Sequence, residues 1–238
     1  MAEATQQAAV VSVRDLTPSV RELVLSPLEQ ALHFRPGQWV SLKLPVGERP
    51  PLVRAYSAAE PEAASGHLVL VFDRVPQGLG STYLYTLKAG DRVVLSGPYG
   101  NFVAPDPLTR DLVLIGRFTG IVPLRCILRR LFAQPPSHRV TLLYQVPDRA
   151  ELLYHDEFTV LAARHDRFCY EPLITEANSS ERSGAEYQPV MEKLVSMFEG
   201  RTDFHPMICG LKAFVRPLRA SLMEQGFARR DVLVETYD

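Results

Sequence analysis

Nowhere in this chain do apolar residues run on for the ~18 positions that a membrane-spanning helix requires, so no membrane span is expected. Cysteine is scarce. The three present, Cys126, Cys169 and Cys209, lie far apart, which excludes a disulfide framework and the paired CxxC of a zinc site. They are also too few to supply the four thiolates of a plant-type iron–sulfur cluster. The six histidines show neither HxxH nor HExxH spacing and read as surface or packed imidazoles, so no metal is expected. An excess of either charge is missing too. Lys plus Arg number 26 against 27 Asp plus Glu, which leaves no net field to favour nucleic acid or an anionic membrane. Met1 to Val13 has neither the basic start nor the long apolar run of a signal peptide, and a reducing cytoplasm is the expected compartment.

What is there is material for a core. With 238 residues, 46% of them apolar, the chain can form one large domain or two of ordinary size. Up to about Phe102 it reads as short β-rich runs: Ala9 to Arg14, Val20 to Leu25, Gln38 to Leu44, Leu52 to Ser57, His67 to Asp73 and Arg92 to Leu95. Turn residues such as Pro36-Gly37 and Ala89-Gly90-Asp91 separate them, a rhythm that predicts a small antiparallel barrel or sandwich. A short helix is expected over Gly80 to Leu87.

From Asp111 the rhythm becomes strand, helix, strand, helix. Leu112 to Ile115 suits a strand buried on both faces, and Ile121, Leu124, Ile127, Leu128, Leu131 and Phe132 recur at helical spacing. The alternation continues to Asp231 to Glu235 and predicts a doubly wound parallel sheet. Ala104-Pro105-Asp106-Pro107 marks the boundary, giving domains at 1–104 and 108–238. Glu171 to Glu186 is polar and aperiodic, with Asn178-Ser179-Ser180 and Ser183-Gly184, and reads as a long loop.

Three stretches carry chemistry. Arg54-Ala55-Tyr56-Ser57 on a strand puts a guanidinium and a phenol ring on one side, which suits a phosphorylated, planar ligand. Gly78-Leu79-Gly80-Ser81 before a helix offers close backbone approach, free N–H groups and a hydroxyl to a second phosphate. Thr119-Gly120-Ile121-Val122-Pro123 follows a buried strand, where a dinucleotide's pyrophosphate would meet a helix start.

Together with Phe34-Arg35-Pro36-Gly37-Gln38-Trp39-Val40 and Gly97-Pro98-Tyr99-Gly100, and in this order, these stretches resemble the ferredoxin–NADP reductase superfamily, including the reductase components of oxygenases. The resemblance extends over nearly the whole chain. It implies a β + α/β fold: an N-terminal antiparallel β-barrel that binds FAD, followed by a doubly wound parallel-sheet domain that binds NADPH or NADH. By that resemblance Arg54 binds flavin phosphate, Tyr56 packs on the isoalloxazine, Ser57 lies near N5, and Gly78, Leu79, Gly80 and Ser81 bind the pyrophosphate. Thr119, Gly120 and Pro123 match the family's nucleotide turn, Cys209-Gly210 matches its pair beside the nicotinamide, and Glu235-Thr236-Tyr237 resembles the Glu-x-Tyr ending of plant-type reductases, with Tyr237 on the flavin face. Ser57, Cys209 and Glu235 are thus the expected reacting centre, and Arg149 is placed to meet a 2′-phosphate beside an opposing Asp148. The implied activity is hydride transfer from NAD(P)H to FAD, with electrons passed to a separate acceptor such as ferredoxin, flavodoxin or an oxygenase component. Two arginine groups are candidates for docking it: Arg125, Arg129 and Arg130, or Arg216, Arg219, Arg229 and Arg230.

One departure matters. The family turn begins Gly-Gly, and this chain has Arg117-Phe118. A non-glycine residue in a left-handed conformation costs on the order of 1–2 kcal/mol, and a Cβ obstructs a phosphate. Two bulky residues there weaken dinucleotide binding by roughly a hundredfold or more at ~1.4 kcal/mol per decade. Arg117 acts in the other direction by adding positive charge near a helix start. Three outcomes stay open: a working reductase, one gated by Phe118, and a flavin-binding electron-transfer, sensor or scaffold module that has lost nicotinamide chemistry.

Overall fold

The computed structural model describes residues 4–47, 50–175 and 186–237. The chain divides into two compact units, Met1–Val103 with Arg125–Arg130, and Ala104–Leu124 with Leu131–Asp238. The main break falls between Val103 and Ala104, and a six-residue stretch of a later helix clusters with the first unit.

The first unit is built on six antiparallel strands: β1 (Thr5–Asp15), β2 (Val20–Pro27), β3 (Trp39–Leu44), β4 (Leu52–Ser57), β5 (Leu68–Asp73) and β6 (Arg92–Tyr99). Their order is β4-β3-β6-β1-β2-β5, and a bridge between Ala58 and Leu70 joins the two edges, so the sheet closes into a barrel. Alternation supplies the core. Leu23 and Leu25 on β2, Leu42 and Leu44 on β3, and Leu68 and Leu70 on β5 point inward and are fully buried. Helix α1 (Leu79–Thr86) packs on this core through Leu84. Its far end is tied to β2 by Arg21, which donates from Nη1 to the Tyr85 carbonyl at 2.7 Å while its guanidinium lies 4.3 Å over the Tyr85 ring.

Gly37 turns the chain into β3 at φ +99, and a Cβ there would collide with the Phe102 carbonyl. Only glycine satisfies both conditions.

The second unit holds β7 (Asp111–Arg117), α2 (Ile121–Phe132), β8 (Val140–Val146), α3 (His155–Arg164), β9 (Phe168–Ile174), α4 (Gln188–Phe198), β10 (Phe204–Leu211), α5 (Lys212–Glu224) and β11 (Leu233–Tyr237). The five strands are parallel in the order β11-β10-β7-β8-β9. β7 and β8 are buried almost throughout, as strands covered by helices on both faces must be. The predicted loop at Glu171 to Glu186 needs correction. Glu171 to Ile174 extend β9 because each pairs with β8, from Leu143↔Glu171 to Val146↔Ile174. Residues 176–185, with Asn178-Ser179-Ser180 and Ser183-Gly184, lie outside the described residues, as does Asp238.

Residues Arg125–Arg130 of α2 pack with the barrel unit. Arg125 is buried and donates to the Ala59 carbonyl at 3.1 Å and to Glu60 Oε1 at 3.2 Å, and Arg129 reaches the same carboxylate at 2.7 Å. This removes Arg125 from any docking face, since its guanidinium already serves an internal ion pair.

Replacing Gly37 with alanine is expected to lower unfolding free energy by at least about 2 kcal/mol in urea titrations, because both the left-handed backbone and the Phe102 contact oppose a methyl group. An unchanged midpoint would show that this turn relaxes freely.

Candidate functional site

In the barrel unit, β3 pairs with β4 so that Val40 faces Tyr56, Leu42 faces Arg54 and Trp39 faces Ser57. Arg54 is exposed, donates from Nη1 to the Val53 carbonyl at 2.9 Å, and has no carboxylate partner among the described residues. Its stem runs past the start of α1, for a Cβ built on Gly80 would sit 3.5 Å from Arg54 Cγ. The first two motifs, more than twenty residues apart in sequence, are therefore neighbours in space. The Gly78 to Ser81 loop is closed from within: Ser81 Oγ accepts from Val75 N at 3.1 Å and lies 3.2 Å from the Gly78 carbonyl. The hydroxyl expected to meet a phosphate is thus spent on shaping the loop, which leaves the first-turn N–H groups of α1 to face an anion.

Tyr56 packs edge-on to Phe72 with ring centroids 5.7 Å apart. Burial pushes its phenol up to about 12, against a smaller opposing effect of Arg54, so the ring stays neutral and presents a π face. Ser57 is buried at the end of β4. The other two motifs also converge, because Trp39 pairs with Tyr99, their rings 4.9 Å apart, and Gln38 Nε2 donates to the Gly100 carbonyl at 3.1 Å.

In the second unit the winding reverses between β7 and β10, and the carboxyl ends of those strands form the crevice where open α/β sheets bind ligands. Both unit-two motifs end there. Arg117 closes β7 with extended backbone at φ −118 and ψ 125, so its position makes no conformational demand for glycine. Phe118 does take the left-handed conformation, at φ +49, and carries the expected strain. A tight turn over Phe118–Gly120 then leads into α2, which carries Pro123 in its first turn.

Gly120 lies directly on β10. An added Cβ would collide with the Cys209 carbonyl oxygen, 2.7 Å from its carbon and 3.0 Å from Gly210 Cα. Thr119, Gly120, Cys209 and Gly210 are thus brought together, and the parallel register sets Glu235 beside Cys209. The Cys209 thiol is fully buried; burial raises its pKa far above the usual range, and a smaller opposing effect comes from the Tyr237 hydroxyl, which hydrogen-bonds it. A thiol so placed is no nucleophile. Glu235 is half-buried, and burial raises its carboxyl to about 7.

Arg149 stands on the exposed turn Arg149–Glu151 beyond β8, whose start Asp148 caps by accepting from Ala150 N at 2.9 Å. Glu186 is the residue that sequence reasoning missed. Its Oε2 lies 3.3 Å from Arg117 Nη2, while Gln145 Nε2 donates to its backbone carbonyl at 2.9 Å. No local pattern announces a pair 69 positions apart. Among the described residues no group of three or more histidine, cysteine or carboxylate side chains is placed to hold a metal, and no helix is long and apolar enough to cross a membrane.

Two family models match the chain, an oxidoreductase FAD-binding domain over residues 7–103 and an oxidoreductase NAD-binding domain over residues 114–219. Ferredoxin–NADP reductase B of Sorangium cellulosum is 32% identical over 240 residues, covering 98% of this chain and 97% of that protein. The chain belongs to the ferredoxin–NADP reductase family. The DmpP reductase component of a Pseudomonas phenol 2-monooxygenase is 30% identical over 96% of this chain, which spans 64% of that longer protein. Among solved structures, the Amycolatopsis cytochrome P450 reductase GcoB superposes with a TM-score of 0.81 at 29% identity, covering 99% of this chain and 71% of that one.

This ferredoxin–NADP reductase relative carries a domain for FAD and one for NAD(P)H, and its residues fit both. Arg54, without a carboxylate partner among the described residues and beside a helix start, suits a flavin phosphate, and a glycine pressed against the β10 backbone keeps the turn after β7 tight.

Gly120→Ala should lower unfolding free energy by at least about 2 kcal/mol in urea, since the Cβ has backbone on the far side and no flexible atom to displace. Glu235 gives a pH signature. Its folded value of about 7 exceeds the ordinary 4.5, so its ionisation destabilises the fold progressively from pH 4.5 up through pH 7 and fully above. Thermal melts should therefore show Glu235→Gln gaining more over wild type at pH 8 than at pH 5; equal gains would mean that the carboxyl is not buried in solution.

Proposed function

We propose that this protein is a flavin-dependent reductase that passes a hydride from NAD(P)H to bound FAD and then delivers electrons to a separate acceptor. The observation that carries the reading is the nucleotide turn: despite Arg117-Phe118, it keeps glycine at the one position where the backbone contact with Cys209 excludes a side chain. The acceptor class is taken from the relatives, whose names specify ferredoxin in one case and a phenol 2-monooxygenase in another. Either a ferredoxin-like protein or an oxygenase component would suit. FAD supplies the step from two-electron to one-electron chemistry.

The protein's part is binding and alignment. Arg54 grips a flavin phosphate together with the N–H groups of Leu79 and Gly80, with Gly78 and Ser81 holding the loop. Tyr56 lends its neutral ring to the flavin, and Ser57 sits at the strand end beside it. Thr119, Gly120 and Pro123 receive the dinucleotide at the α2 start, and Arg149 awaits any 2′-phosphate. Cys209 and Gly210 keep the nicotinamide floor small and apolar. Glu235 holds or releases a proton near neutrality, and Tyr237 is tethered to Cys209. With Arg125 buried and Arg129 paired to Glu60, the better docking candidates are Arg216, Arg229 and Arg230, all exposed.

A second reading, a module with restricted nicotinamide access, is favoured by the strained Phe118 and by the Arg117–Glu186 pair. Purified protein separates the two. Anaerobic addition of NADH or NADPH should bleach the yellow flavin within seconds, and a flavin indifferent to both would leave the module. Arg54→Ala should weaken FAD binding about tenfold or more in fluorescence titrations.

A further inference from the structure

Arg117 and Gln145 are register partners on β7 and β8, and each is anchored incompletely. Arg117 forms an ion pair with Glu186, at 3.3 Å between Nη2 and Oε2, with 12% and 21% of the two side chains exposed. Its Nε is buried without a hydrogen-bond partner among the described residues, and so is Gln145 Oε1. A well-made guanidinium–carboxylate pair uses two parallel contacts of about 2.7–2.9 Å. The contact here is longer.

The delivery of Glu186 is nevertheless built in. Gln145, which is itself buried, donates from Nε2 to the Glu186 carbonyl at 2.9 Å and to Thr175 Oγ1 at 3.2 Å. Glu186 stands just before α4, so the residue adjoining Arg117 in the sheet also holds the backbone of its counter-ion. The arrangement places a carboxylate on the cation that stands at the carboxyl end of β7, where the crevice of an open α/β sheet receives phosphate.

We infer that Glu186 is an internal stand-in for phosphate: its carboxylate occupies Arg117 until a phosphate group of the incoming dinucleotide displaces it, so that Glu186 sets dinucleotide affinity. The inference rests on the reading that the dinucleotide binds at the turn after β7. Removing the carboxylate frees the guanidinium and relieves like-charge repulsion of the phosphate; removing Arg117 takes away the group for which both anions compete.

The test is a double-mutant cycle on the flavin-loaded full chain, with dissociation constants for NADH and NADPH measured by calorimetry. Glu186→Gln and, as a second variant, Glu186→Ala should tighten binding about tenfold. In an Arg117→Gln background the same change should gain less than about twofold. A gain shared by NADH and NADPH identifies the pyrophosphate as the displacing group, and a gain confined to NADPH identifies the 2′-phosphate. Unchanged or weaker binding in both Glu186 variants, or an equal gain in the Arg117→Gln background, overturns the inference and leaves the reductase reading intact. If wild type ignores both nucleotides but Glu186→Gln binds them, the inference holds and the restricted-module reading replaces the reductase. Absence of binding in every variant sinks both.

Discussion

The second unit depends on one backbone contact, between the turn that leaves β7 and the end of β10. These two strands flank the point where the sheet reverses its winding, and the turn must pass over β10 to begin α2. At Gly120 it comes so close to the Cys209 carbonyl that no side chain fits. The contact lies one residue before α2 begins at Ile121, and on the same strand the β10–β11 register sets Glu235 beside Cys209 and Tyr237 beside Leu211. The two residues that depart from the family's glycines sit upstream of the contact and bend around it. Phe118 absorbs the left-handed conformation, and Arg117 stays in the strand.

The barrel solves a different problem. A closed sheet has no edge to pair, and the short helix α1 packs on its core through Leu84. Arg54 and Gly80 meet there because α1 is held at both ends, by the Ser81 hydroxyl within its loop and by Arg21 at its last turn. Hydroxyls and guanidiniums that look available in sequence prove to be committed inside the fold. Ser81 and Arg125 are both examples, and each is worth more as an internal tie than as an exposed group, because an unpaired buried polar atom costs about 1–3 kcal/mol.

Burial also sorts the ionisable groups near the nucleotide crevice. Cys209 is sealed and protonated, and Glu235 is raised to about 7 by partial burial. Arg117 meets a carboxylate supplied from the start of α4. The carboxyl ends of β7, β10 and β11 thus gather a buried thiol, a half-buried carboxyl and a guanidinium already paired to a carboxylate.

Periodicity and turn residues alone determined the two architectures and most strand positions. Those features are legible because side-chain alternation, helical spacing and glycine turns are local properties of the chain. Only the tertiary structure decided the rest. It extended β9 through Glu171 to Ile174, assigned Arg125–Arg130 to the barrel unit, turned Ser81 inward, and paired Arg117 with Glu186 across 69 positions. The β9 extension is backbone pairing and the Ser81 tie is local to its loop, but Arg125 and Arg117 each meet a carboxylate far away in sequence, 65 positions in the first case and 69 in the second. Such pairing has no periodicity, and it is chosen only when packing has fixed the distances.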